Sequence, residues 1–443
     1  MLRQRSDAHR ARALGLGLGL AMALPASWPL APLRASEGPR EGLAADPEVV
    51  IAQQDFGQLP DGPLGQGIGG RPLVPGTDLT REELEQIDEQ LLANILRIED
   101  PVDRSLALVQ AAIYKIQTRD LDTARRALDR ASEAIEEISE PVRRDLRLIS
   151  TSRAFIELAQ EDINVAVSGA ASILSLEPEM TVEERVQTLE RALEAFERSA
   201  ELASRIEQLG YRPQTMYLAA EAQAKGGQDI GIVAFRNPQI LGEQQETVVP
   251  ELRRLAARYI ELAAEHARSI DVPVWRDVAL SAVASSAAVS NQFELGRQVA
   301  GSIPGLELRF DAVLSVAEGE ARRGDPDRAT GDFAECARIL ASIPIDDLRG
   351  TLNDVLIESL IAAGRFPDAR RCIALYPDDV DRLEALGGIA QAMGARGLSD
   401  EARQWILREI EPQYRSGLYR RVNDGVLSTL ERYPRGSDAY GAF

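Results

Sequence analysis

Carboxylates are the chain's most abundant chemical groups, with 70 Asp and Glu against 50 Lys and Arg. Adjacent pairs such as Glu136 with Glu137, or Asp346 with Asp347, have the groups needed for proton transfer. Neighbours on a helix point about 100° apart, however, so such pairs do not converge on one substrate atom. The two histidines are His9 and His266, too few and too distant for a site built from several imidazoles. The two cysteines, Cys336 and Cys372, lie in apolar helical contexts where a thiol acts as a small hydrophobe, and their pairing stays open. A glycine-rich run from Asp61 to Gly70 has no strand before it and no Gly-Lys-Ser or Gly-Lys-Thr after it, so it does not read as a phosphate cradle. Nor does the sequence hold a Gly-x-Ser-x-Gly elbow, a His-Glu-x-x-His pair, a Cys-x-x-Cys or a dinucleotide fingerprint. The expectation is a non-catalytic protein with no cofactor and no metal. An all-helical exported hydrolase built on carboxylates is the alternative.

The elements that position these groups follow from composition. Ala, Leu, Glu and Arg dominate while aromatics are 5%, a mix that suits helices packed through small side chains. A length of 443 residues accommodates two or three domains or one long repeat array. The formal charge of −20 repels phosphate backbones and anionic lipid, which disfavours nucleic acid as a partner. Lys115 and Lys225 are the only lysines. That bias reads as the codon usage of a GC-rich genome, with a small bonus for surface ion pairs.

The N-terminus reads as an export signal over residues 1–35. Arg3, Arg5, Arg10 and Arg12 precede an apolar stretch from Ala13 to Leu24 that Pro25 breaks, with cleavage after Ala26 or Ala35. That stretch is shorter than the roughly 20 residues a membrane helix needs. The expected location is therefore periplasmic or extracellular, with no integral span in the mature chain. Losing five arginines and one aspartate with the leader leaves a mature charge near −24. Residues 36–78 are rich in Gly and Pro without periodicity and read as a flexible linker, and residues 436–443 as a disordered tail. Order is expected from Thr80, whose capping box with Glu83 precedes Leu84, Ile87, Leu91, Ile95 and Ile98 at helical spacing. A second box, Thr181 with Glu184, opens a helix carrying Val186, Leu189, Leu193 and Phe196.

A repeat organises the rest of the chain. With Arg104, Arg276, Arg309, Arg349 and Arg382 as zero, offset 8 holds Ala112, Ala284, Ala317, Ile357 and Ala390. Offset 20 holds Ala124, Gly296, Ala329, Ala369 and Ala402, so small residues recur where two helices must approach closely. Apolar filling stands at offset 7 (Ala111, Val283, Val316, Leu356, Ile389) and at offset 24 (Leu128, Ala300, Phe333, Ile373, Ile406). Offset 15 is Gly324, Gly364 and Gly397 in three units, which suits a helix C-cap and tight turn. Prolines at Pro141, Pro304, Pro344, Pro377 and Pro412 are expected to stop each second helix. Residues 79–272 then form an N-terminal helical repeat region, and 273–435 the C-terminal repeats. Gly226 to Phe235 reads as an irregular loop or short hairpin within an insertion near 211–248.

These columns resemble the tetratricopeptide repeat, including the turns Gly364 to Arg370 and Gly397 to Arg403, although the family's first-helix Trp and Tyr are absent. The resemblance covers about 101–141 and 273–435. It implies an all-α, right-handed α-solenoid of helix-turn-helix repeats whose concave face binds a protein or peptide. Ligands of that family meet first-helix offsets 2, 5 and 9. Here these are Asp311, Leu314 and Glu318; Thr351, Asp354 and Glu358; and Glu384, Gly387 and Gln391. The row is acidic, so the expected partner carries a basic segment. A structural spacer that assembles end to end is a further alternative.

Overall fold

The computed structural model describes residues 81–168, 180–207, 210–236, 238, 241, 245–324, 326–376 and 378–432. The expected leader, linker and tail, and Thr80 of the first capping box, lie outside these residues. Contacts divide the chain into 1–85 and 86–443. Of the first unit only the start of helix α1 (Arg81–Ile95) is described, and the remaining helices belong to the second.

Every regular element among the described residues is a helix. After α1 come α2 (Pro101–Gln117), α3 (Leu121–Glu136), α4 (Pro141–Ser168), α5 (Val182–Ser204), α6 (Arg212–Arg236), α7 (Gln245–Arg268), α8 (Pro273–Val289) and α9 (Phe293–Gly301). Then follow α10 (Leu306–Arg323), α11 (Pro326–Ser342), α12 (Asp346–Ala362), α13 (Phe366–Cys372, extended by a 3₁₀ turn Ile373–Leu375), α14 (Asp379–Ala395), α15 (Ser399–Glu409) and α16 (Pro412–Arg432). Each even-numbered helix from α2 to α14 packs against the odd-numbered helix that follows, and that one against the next even-numbered helix. Even-numbered helices also touch one another along the chain. This is a helical repeat solenoid of stacked hairpins, with the even-numbered helices as one layer of first helices. No helix among the described residues is long and apolar enough to cross a membrane.

The small-residue columns lie at the helix contacts. Ala317, Ala329, Ala390 and Ala402 are each 0% exposed. In the two apolar columns only Ala111 and Ile373 are half-buried, the rest buried. One continuous cluster of buried side chains runs from Ala203 on α5 to Val422 on α16, so the core crosses residue 272 without a break.

A left-handed residue closes the first helix in all five units. Gly324, Gly364 and Gly397 have φ of 85°, 74° and 77°, and the two non-glycine residues with positive φ, Arg119 and Asn291 (62° and 60°), occupy the same offset 15. In the first unit the amide of Arg119 donates to the Ile116 carbonyl (3.0 Å) and that of Asp120 to the Lys115 carbonyl (2.9 Å). The same pair of bonds recurs at Asn291 and Gln292, at Gly364 and Arg365, and at Gly397 and Leu398. This Schellman closure satisfies carbonyls a helix end leaves unpaired, and it requires a left-handed residue.

The arginine that marks the register is the fourth residue of its helix, and in three of the five units its head group works backwards, while Arg276 pairs with Asp277 and Arg309 with Glu335. Arg104 donates to the Ile98 carbonyl (2.8 Å), Arg349 to Ile343 (3.1 Å) and Arg382 to Tyr376 (2.9 Å), closing the end of the preceding element. Arg415 does the same for Ile410 (2.7 Å). Arg144 and Arg415 hold that fourth position in α4 and α16, extending the register beyond the five expected units. Pro141 and Pro412 accordingly open helices; they do not stop them, since a first-turn residue has no use for an amide proton. Helices α3, α9, α11 and α15 end two to five residues before Pro141, Pro304, Pro344 and Pro412. Pro377 lies outside the described residues.

The expected irregular insertion is corrected by α6, a helix through Gly226, Gly227 and Gly231. A Cβ on Gly226 would stand 2.7 Å from Ile163 Cδ1, and one on Gly227 2.9 Å from Tyr259 Cβ. On Gly231 it would collide with Ser290. These glycines let α4, α7 and α8 approach α6 and are not turn formers. The capping box at Thr181 is present, with the Thr181 amide donating to Glu184 Oε2 (2.8 Å) and the Glu184 amide to Thr181 Oγ1 (3.2 Å).

Two glycines with open space around them give opposite outcomes. Gly397→Ala meets no atom within 4 Å but forces a side chain into the left-handed region. It should cost about 1–2 kcal/mol. Gly388→Ala, equally unobstructed inside α14, should stabilise by up to about 1 kcal/mol. Denaturant unfolding of both variants checks the pair. At the crossing of α14 and α16, a Cβ on Gly425 would enter the Gln391 carbonyl oxygen, so Gly425→Ala should cost roughly 1–3 kcal/mol in the same measurement.

Candidate functional site

First helices in the middle of the stack are buried on nearly every side, and each leaves a narrow strip for solvent. On α10 the strip is Asp311, Ser315, Glu318 and Arg322; on α12 it is Thr351, Asp354, Glu358 and Ile361. On α14, Glu384, Gly388 and Gln391 are exposed or half-exposed. Offsets 2 and 9 therefore reach solvent as expected, while the middle position falls at offset 5 on α12 and at offset 6 on α10 and α14.

Two expected contact residues are corrected by this rotation. Leu314 is 3% exposed and belongs to the core. Gly387 is buried against α16, with the Arg421 side chain 3.5 Å from where its Cβ would stand. Gln391 keeps a half-exposed side chain, but its backbone carbonyl lies under Gly425. The C-terminal helix therefore covers part of the third unit's row. Sequence reasoning missed this because Pro412 reads as a terminator when it is the start of another first helix.

The exposed row is cross-linked between repeats. Ser359 Oγ on α12 donates to Glu318 Oε1 on α10 at 2.6 Å, and Arg322 pairs with Glu318 one turn on at 3.7 Å. Ser285 Oγ on α8 donates to Ser315 Oγ at 3.0 Å. Thr351 Oγ1 donates back to the Asp347 carbonyl at 2.9 Å. Tyr376, buried after α13, donates its hydroxyl to Asp354 Oδ1. Burial first, and then this carboxylate partner, holds the tyrosine pKa far above its usual range. Glu358 and Glu384 are exposed and have no ion-pair partner among the described residues.

The groups that first suggested catalysis are dispersed. Glu136 pairs with Arg205 and Glu137 with Arg104, so these neighbours face different helices. Asp346 pairs with Arg349, leaving Asp347 exposed. Cys336 and Cys372 are both free and buried, and burial pushes the Cys372 thiol up to about 11. His266 is half-buried, with Nδ1 2.8 Å from Gln223 Oε1 across α6 and α7, and burial lowers its pKa. A cluster on α9, α10 and α11 joins Arg297 to Glu320 and to Asp332, the last at 3.0 Å. One guanidinium serves both carboxylates and so ties three helices together. No group of three or more His, Cys, Asp or Glu among the described residues is arranged to hold a metal ion.

One cleft between α4 and α6 has a volume of about 270 Å³ and is lined by Ile163, Asn164, Val167, Asp229, Ile232 and Val233. Burial raises the pKa of Asp229 there, opposed by Lys225 one turn before it. The cleft is smaller than the roughly 300–1,000 Å³ of most ligand pockets and has no general acid and base in facing positions.

No family model matches the chain, and no curated protein matches it. Among solved structures it is similar to the crystal structure of Ton1535 from Thermococcus onnurineus NA1, at 14% identity and a TM-score of 0.28, covering 78% of this chain and 86% of that one. It is also similar to a circular tandem repeat protein with novel repeat topology and enhanced subunit contact surfaces, at 18% identity and a TM-score of 0.29, covering 79% of this chain and 89% of that one. Likenesses at these scores carry no argument, and the repeat fold rests on the chain's own helix contacts.

Proposed function

We propose that the chain is a non-catalytic scaffold that holds a protein or peptide partner on the exposed strip of its first helices. The observation that carries this reading is the pair of exposed carboxylates Glu358 and Glu384 on that strip. Glu358 and Glu384 face solvent without a cation among the described residues, and Asp354 stands on the same face as Glu358 one turn earlier. A partner with a basic segment gains both steering and pairing there. The resemblance to tetratricopeptide repeats supports a right-handed superhelix with this strip on its concave side, and the leader-like N-terminus supports a place in the periplasm or outside the cell.

Two alternatives draw less support. An exported hydrolase needs converging groups, and the carboxylate pairs face apart. An end-to-end spacer needs sticky termini. The exposed face of α16 carries Gln413, Ser416, Arg420, Asn423 and Glu431 beside Tyr414, Leu427 and Leu430, a mixed face with more polar than apolar side chains.

Reversing Glu358 to Lys, alone and together with Asp354→Lys, should weaken capture of the partner from a native envelope extract by about tenfold or more, with greater losses at low salt. Quantitative mass spectrometry of the captured material is the measurement. Equal recovery by the double variant, with its unfolding midpoint preserved, removes the proposal.

A further inference from the structure

Among the exposed large apolar side chains, beside others on α1, α2, α15 and the C-terminal part of α16, a set stands at the start of the first helices. It comprises Val142 on α4, Tyr211 just before α6, Val274 on α8, Ile345 just before α12, Val380 on α14 and Tyr414 on α16. Val142, Val274 and Val380 each stand two residues before the register arginine, at Arg144, Arg276 and Arg382. Alternate helices of a hairpin stack run the same way, so these starts share one edge of the array. A single exposed aliphatic residue is ordinary on a protein surface. Ile345 and Tyr414 stand four and one residues before Arg349 and Arg415, so what recurs is the helix start and not one register position: Val274 is 60% exposed, Ile345 57% and Val380 75%.

The charge around the stripe selects its occupant. At the C-terminal end, the starts of α12, α14 and α16 carry Asp346, Asp347, Asp378, Asp379, Asp381 and Glu411. Asp346 and Asp379 are paired with Arg349 and Arg382, and Asp378 accepts from the amides of Val380 and Asp381 (both 2.9 Å). Asp347 and Asp381 have no cationic partner among the described residues. The two starts belong to helices that pack against each other, and the Asp381 carboxyl is raised by desolvation and by the nearby Asp378, Glu384 and Asp347. An anionic bilayer is repelled by such an edge, and so is a second copy of it.

Resting on the scaffold reading but on a different surface, we propose that this edge docks an extended basic segment of a partner polypeptide, whose aliphatic side chains seat against Ile345, Val380 and Tyr414. The register follows from geometry. Packed helices stand about 8–10 Å apart, and a polyproline-II chain returns to the same face every three residues, about 9 Å along. An apolar residue at every third position, with Lys or Arg between, matches one apolar and one acidic element per helix start.

The test uses the purified full chain and a fluorescent synthetic peptide of about nine residues repeating Leu-Lys-Lys, read by anisotropy. The peptide should bind. Ile345→Ser with Val380→Ser should weaken it about tenfold while the unfolding midpoint stays put, because both side chains are exposed. A peptide of the same composition with its leucines contiguous should bind more weakly, and Leu-Glu-Glu not at all. Failure of Leu-Lys-Lys to bind, equal binding by the serine variant, or equal binding of the contiguous peptide overturns the proposal. So does association with phosphatidylcholine vesicles that the serine substitutions abolish. If Glu358→Lys lowers partner capture while the serine variant leaves peptide binding unchanged, the scaffold reading stands and this edge falls.

Discussion

The close approach of paired helices through side chains no larger than alanine is the constraint on which the rest of the structure depends. Small residues at offsets 8 and 20 set the distance between the two helices of a hairpin, and buried apolar residues at offsets 7 and 24 fill what remains. Where the approach is closest, alanine itself is too large. Glycine takes over at Gly425 and Gly394, where α14 crosses α16, and at Gly226, Gly227 and Gly231 along α6. Dispersion is lost steeply with a gap of even half an ångström, so these columns specify the stack geometrically as well as energetically.

Stacking draws on two local closures, a left-handed turn in five units and an arginine cap at four first helices. A left-handed residue ends the first helix and turns the chain into the second. An arginine four residues into the next first helix reaches back to the carbonyl left open by the previous element. The left-handed closure serves units of unequal length, from the 18-residue α10 with the 17-residue α11 to the 17-residue α12 with the seven-residue α13. The outcome is a set of first helices largely enclosed by their neighbours, with solvent reaching a thin strip of each.

Much of this was legible from residue types at fixed spacing, and what was not has identifiable causes. The glycine column predicted the left-handed turn, but Arg119 hides it, since its side chain gives no sign of a conformation that the surrounding hydrogen bonds impose, while Asn291 is a residue that tolerates it. Gly226, Gly227 and Gly231 read as a loop because glycine serves turns and close packing alike, and only a neighbouring helix distinguishes the two. Pro141 and Pro412 read as endings because proline is tolerated on either side of a break. The strip on α10 was displaced by one residue at Leu314, because a helix buried almost all round has too little polarity contrast to show which face is open. The ion cluster at Arg297, Glu320 and Asp332 had no sequence signal, its members coming from three helices.

The proposed recognition of a basic chain draws on the acidic strip and on the apolar side chains exposed at the helix starts. That arrangement is a consequence of the stack, since only the stacked hairpins align the strips and the helix starts. Equilibrium unfolding of Ala317→Leu and Ala390→Leu therefore tests the central claim most directly, because both side chains sit at 0% exposure in the offset-8 column. Over-packing should destabilise each by about 1–3 kcal/mol. Wild-type stability in both would contradict the close-packed hairpin stack.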